Sequence, residues 1–100
     1  IPGAMTPSEI MAAHIAGADF VKVFPAGNLG SGYIKAIRAP ISHVRMMAVG
    51  GINEKNIGEF FEAGVCGVGV GGNLVNKKLI AEGKFDEISA LAARFIKNIQ

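Results

Sequence analysis

Apolar positions along this chain alternate between two rhythms, one of period near 3.6 and one of short unbroken runs. Thr6-Pro7-Ser8-Glu9 opens the first helical stretch: Thr6 can cap, Pro7 suits the first helical position, and Glu9 completes a capping box. Ile10, Met11, His14 and Ile15 then keep helical spacing, and Gly17 is a fitting stop. The run from Ala18 to Gly27 is β-branched and aromatic and closes on Pro25 and Gly27, so it reads as a strand entering a loop. Leu29 to about Ile37 reads as a helix weakened at its start by Gly30 and Gly32, and Pro40 ends it. A strand over Val44–Val49 runs into Gly50-Gly51. Asn53 then caps a helix to Ala63 with Ile57, Phe60 and Phe61 on its apolar side, and Gly64 stops it. Val65–Val70 is a third strand, running into Gly71-Gly72-Asn73, with a short helix expected near Leu74. The last helix spans Phe85 to Ile99, with Ile88, Leu91, Ala92, Phe95 and Ile99 on one face.

The order contains an echo. Ala16-Gly17 followed by Val21 and Val23 matches Ala63-Gly64 followed by Val68 and Val70, so a helix-plus-strand unit repeats with one further strand between. Alternating strands and helices imply parallel strands with right-handed crossovers. Two folds repeat that unit, the (β/α)₈ barrel and the doubly wound sheet. A closed barrel needs about 200 residues. With 100 residues and three clear strands, the chain is one domain at most and, within a barrel, roughly its second half.

One residue breaks the apolar pattern. Lys22 stands between Val21 and Val23 and shares a strand face with Phe20 and Phe24. Burial among apolar groups disfavours a charged amine, and a neutral amine can form a Schiff base with a carbonyl substrate. A lysine that snorkels to the strand end, or one on an edge strand, fits the same pattern. Gly50-Gly51 and Gly71-Gly72 occupy matching places, each after a strand and before a helix. Two such turns in consecutive units suit a phosphate, because the backbone can approach it closely and helix N-terminal N–H groups can face it. There is no Gly-x-Gly-x-x-Gly fingerprint and no Walker lysine, so nucleotide binding is not supported.

Composition narrows the classes further. A formal charge of +2, scattered along the chain, gives no footprint for nucleic acid or an anionic membrane surface. No apolar run approaches the ~20 residues of a membrane span, and no signal peptide opens the chain, so a cytoplasmic location is the default expectation. The single Cys66 excludes an internal disulfide and reads as a packed thiol; no metal site is expected. His14 reads as a packed or half-exposed histidine. Ile1-Pro2-Gly3 reads as the middle of a loop, which suggests a fragment.

Ile1-Pro2-Gly3 with Thr6 and Glu9, then Phe20 to Ala26, then Val49-Gly50-Gly51-Ile52 and Val68 to Gly72, together resemble the class I aldolases that cleave 2-keto-3-deoxy-6-phosphogluconate (KDPG) and 4-hydroxy-2-oxoglutarate (KHG). The resemblance covers the chain in order and implies the C-terminal half of a (β/α)₈ barrel, homotrimeric when intact. It makes Lys22 the Schiff-base lysine, places Phe24 and Pro25 in the substrate pocket, and assigns Gly50, Gly51, Gly71 and Gly72 to phosphate. The substrate it implies is a phosphorylated 2-oxo acid, with no cofactor because the protonated imine is the electron sink. Three departures stand out. Ala48-Val49 replaces the family's Pro-Thr; Asn73 replaces a Ser and can still donate to an anion; and the family's general-base glutamate and carboxylate-binding arginine belong to its first half. Glu9, Glu54 and Glu59 match no catalytic position of the family. A phosphosugar isomerase or synthase, or a non-catalytic half-barrel, are the alternatives.

Overall fold

In a computed structural model, which describes residues 1–99, four parallel strands lie side by side in the order in which the chain makes them. They are β1 (Gly3–Ala4), β2 (Val21–Val23), β3 (Met46–Val49) and β4 (Gly67–Gly69). Helix α1 (Pro7–Ile15) joins the first two, α2 (Ala26–Leu29) and α3 (Ser31–Arg38) the next two, and α4 (Ile57–Glu62) the last. Helices α5 (Lys77–Ala81) and α6 (Phe85–Ile99) follow.

Side-chain alternation sorts the sheet into two faces. Val21, Val23, Met46 and Ala48 are fully buried, and they form one core with Ile10, Ile34, Ile37, Ile57 and Phe60 from the helices. Burying each of the Val, Ile, Met and Phe side chains among them contributes roughly 1.5–3 kcal/mol. The register puts Lys22 between Gly3 and Met47, with Met47 beside Gly67 and Val49 beside Gly69, all on the opposite face. None of these six is buried. A doubly wound sheet reverses its strand order and carries helices on both faces. Among the described residues this sheet keeps sequential order, with its fully buried residues on the helix side only.

The expected stops and starts hold in part. The capping box at Thr6 and Glu9 forms, and Gly17 and Gly64 follow the ends of α1 and α4 with φ of +103° and +106°. The predicted last helix matches α6, with Phe95 buried and Ile88, Leu91, Ala92 and Ile99 half-buried along it. The helix expected from Leu29 is instead two helices separated by Gly30 at φ +91°, a conformation that glycine adopts without a Cβ penalty. The helix expected from Asn53 becomes regular only at Ile57. Asn53 Oδ1 accepts the N–H of Lys55 and of Asn56, both at 2.9 Å, and Asn56 Oδ1 accepts the N–H of Asn53 at 2.8 Å. These reciprocal bonds make a turn before the helix. Near Leu74 the chain turns, with Leu74 and Val75 both donating to the Gly71 carbonyl, and α5 begins at Lys77 under an Asn76 cap.

Two expectations are corrected. Ile1-Pro2-Gly3 is not all loop: Gly3 and Ala4 form a fourth strand, held by Lys22 N–H to Pro2 O at 2.8 Å and Phe24 N–H to Ala4 O at 3.2 Å. Two residues are too few to show alternation, and their partners lie 19 positions on, at Gly3–Lys22 and Ala4–Val23. Cys66 is exposed rather than packed, because it precedes the first paired residue of β4; its thiol reaches the Met46 carbonyl at 3.3 Å. His14 is half-buried and meets His43 edge-on, ring centroids 5.1 Å apart, as a packed histidine would.

Candidate active site

Lys22 is the middle residue of β2, and β2 pairs with β1 on one side and β3 on the other. The edge-strand reading is therefore excluded. The expectation that apolar neighbours enclose the amine also needs correcting. Val21 and Val23 point into the helix layer, while Lys22 is half-buried on the open face. Two residues further along that face stands Phe24, half-exposed, with its ring centroid 5.1 Å from Lys22 Nζ, a cation–π distance.

Lys22 and Phe24 line a hollow of about 300 Å³ with Gly3, Ala4, Met5 and Glu9. Sequence reasoning placed Glu9 on a helix and gave it a capping role only. Its carboxylate does cap: Oε1 accepts the Thr6 hydroxyl at 2.8 Å and the Thr6 N–H at 3.0 Å. Those bonds, the hydroxyl's first, hold its pKa below the usual carboxylate value. Its place in the wall of the lysine's hollow follows from β1 pairing with β2, and no local motif signals that pairing.

The two glycine pairs converge on a second hollow of about 310 Å³, together with Phe24, Val49, Ile52, Gly69 and Asn73. Phe24 thus lines both hollows. Pro25 lines neither. It precedes α2, and its Cα lies 3.2 Å from where a Cβ on Gly50 would sit. The pairs are not equivalent. Gly50 and Gly51 have φ of +98° and +71°, and a Cβ on Gly50 would lie 2.9 Å from the Phe24 ring. Gly71 and Gly72 have ordinary φ, and a Cβ on either would meet nothing within 4 Å. The expected helix N-termini are not at either turn, since α4 and α5 begin at Ile57 and Lys77. Any anion here would meet backbone N–H groups of the turns themselves. Asn73 Nδ2 donates to Ile52 O at 2.9 Å, so one amide hydrogen ties the two turns together.

Among the described residues, no group of three or more His, Cys, Asp or Glu could hold a metal ion. No helix among them is long and apolar enough to cross a membrane.

Comparison with known proteins gives a consistent result. The family described as "KDPG and KHG aldolase" matches residues 1–91. The 2-dehydro-3-deoxy-6-phosphogalactonate aldolase of Escherichia coli (strain K12) is 35% identical over 97 residues, covering 96% of this chain and 45% of that protein. The probable 2-dehydro-3-deoxy-6-phosphogalactonate aldolase of Rhizobium meliloti (strain 1021) is 41% identical over 75 residues, covering 74% of this chain and 35% of that protein. A solved structure described as "Native KDPGal structure" superposes with a TM-score of 0.83 at 32% identity, over 99% of this chain and 48% of that one. The chain spans less than half the length of these curated relatives.

Proposed function

This chain belongs to the KDPG and KHG aldolase family, and on that premise we propose that it is about the second half of a (β/α)₈ barrel whose Lys22 forms the Schiff base of a class I aldolase. Four parallel strands in sequential order, with one face under helices and one face open, support the barrel reading. The observation that carries the chemistry is the shared wall. Phe24 separates a hollow containing Lys22 from a hollow containing both glycine pairs. That spacing suits a substrate with a carbonyl at one end and a phosphate at the other.

Lys22 Nζ adds to the C2 carbonyl of a 2-oxo acid, and loss of water leaves an iminium. The C3–C4 bond then breaks, its electron pair moving toward the iminium nitrogen to leave an enamine. The C4 hydroxyl gives up its proton and departs as an aldehyde. Protonation at C3 and hydrolysis release pyruvate and return the amine. The base for the hydroxyl proton comes, by resemblance, from the first half of the barrel. Gly50, Gly51, Gly71 and Gly72 receive the phosphate. The relatives named for 6-phosphogalactonate support a 2-keto-3-deoxy-6-phospho sugar acid as substrate.

The test is reductive trapping. Borohydride with pyruvate should add a covalent mass at Lys22 of the full-length protein, and Lys22→Met should abolish it. Label on Lys35, Lys55 or another lysine would overturn the assignment.

A further inference from the structure

The Gly50-Gly51 turn is held from three sides. Three successive carbonyls each accept one hydrogen bond, and each bond comes from a different segment. Gly27 N–H reaches Gly50 O at 2.7 Å, Asn56 Nδ2 reaches Gly51 O at 2.9 Å, and Asn73 Nδ2 reaches Ile52 O at 2.9 Å. In a trans peptide the carbonyl and the N–H point in opposite directions. Fixing these carbonyls therefore fixes where the N–H groups of Gly51, Ile52 and Asn53 point. The N–H of Asn53 is taken by Asn56 Oδ1 at 2.8 Å. Those of Gly51 and Ile52 donate to no group among the described residues. Both residues line the hollow of the glycine pairs.

Gly27 has a second, steric part. A Cβ there would stand 2.7 Å from Gly50 O and 2.9 Å from Gly51 Cα, both backbone atoms that cannot swing aside. Only glycine lets the first turn of α2 dock so closely on this turn. Asn56 is a two-way clamp, because its amide oxygen holds Asn53 while its amide nitrogen holds Gly51.

We propose that Gly27 and Asn56 are positioning residues that preset the Gly51 and Ile52 N–H groups for the phosphate of the substrate, Gly27 through the Gly50 carbonyl and Asn56 through the Gly51 carbonyl. This rests on the phosphate site proposed above. Asn73 anchors the next peptide through the Ile52 carbonyl, and the N–H of that peptide is already taken by Asn56. Preorganised donors bind an anion without reorganising when it arrives. Removing one tie frees the turn to sample orientations in which an N–H points elsewhere.

The experiment compares Asn56→Ala with wild type in the full-length protein. It measures KM and kcat for a phosphorylated 2-keto-3-deoxy sugar acid and for unphosphorylated 4-hydroxy-2-oxoglutarate, with inhibition by inorganic phosphate. Loss of a net hydrogen-bond contribution corresponds to about tenfold. This variant should raise KM for the phosphorylated substrate, and the inhibition constant of phosphate, about tenfold more than it changes KM for the unphosphorylated one. Gly27→Ala should follow the same pattern more strongly, and Asn56→Ala decides the matter if it does not fold. Equal losses on both substrates, or phosphate inhibition unchanged from wild type, would overturn the positioning role alone. A wild-type protein that inorganic phosphate does not inhibit would overturn the phosphate site, and the positioning role with it.

Discussion

Gly50→Ala and Gly71→Ala add the same methyl group to two turns that look alike in the sequence, and their effects should diverge. At Gly50 the backbone has φ +98°, and the new Cβ would sit 2.9 Å from Phe24 Cε2 and 3.2 Å from Pro25 Cα. Left-handed backbone costs an L-residue roughly 1–2 kcal/mol. Overpacking adds roughly 1–3 kcal/mol. The half-exposed Phe24 ring can swing away, but the Pro25 backbone cannot. Against this, any Gly→Ala change removes freedom from the unfolded chain, worth roughly 0.4–1 kcal/mol. The net expectation for Gly50→Ala is a loss of about 1–5 kcal/mol. At Gly71 φ is ordinary and nothing lies within 4 Å of the added atom, so only the unfolded-state gain remains. Gly71→Ala should be neutral or slightly stabilising. Urea unfolding of the two variants and wild type, read as midpoint and slope, measures both. On substrates, the larger Gly71→Val should weaken phosphorylated compounds more than unphosphorylated ones, because its side chain stands where backbone and anion would meet. Gly50→Ala as stable as Gly71→Ala would refute the reasoning about strain, and equal substrate losses for Gly71→Val would refute the anion argument.

Two further outcomes follow from the helix layer. Phe95 is the one buried position of α6, so Phe95→Ala should cost roughly 3–5 kcal/mol and speed amide exchange in α6 ahead of β2 and β3. Exchange that accelerates equally in all three would count against it. Glu9 has a folded-state pKa below its usual 4.5, so its contribution is complete above that value and is lost as pH falls through the lowered one. The stability difference between wild type and Glu9→Gln should therefore be larger at pH 7 than at pH 3, measured by denaturant unfolding; a difference independent of pH would refute the cap's ionic character.

The residues themselves determined whatever depends on near neighbours. Thr6-Pro7-Ser8-Glu9 carries its cap within four positions, and α6 has its stripe from Ile88 to Ile99 in its own periodicity. Gly17 and Gly64 end their helices because each fills a positive-φ position one step past the last turn. The lysine in an apolar strand and the paired glycines were equally legible, and the resemblance to the aldolases came from these motifs, above all the lysine strand ending in Phe24-Pro25, in their order along the chain. Tertiary structure decided which of these features meet. β1 exists only because the Pro2 and Ala4 carbonyls find the N–H groups of Lys22 and Phe24, and two residues carry no pattern of their own. That pairing brings Glu9 into the lysine's hollow and moves Lys22 from an edge to the interior of the sheet. Pairing β2 with β3 sets Gly27 against Gly50, and β3 with β4 sets Asn73 against Ile52. Sequence distance hides such contacts because each is a backbone carbonyl meeting a donor from another unit, and a carbonyl looks the same at every position in the chain.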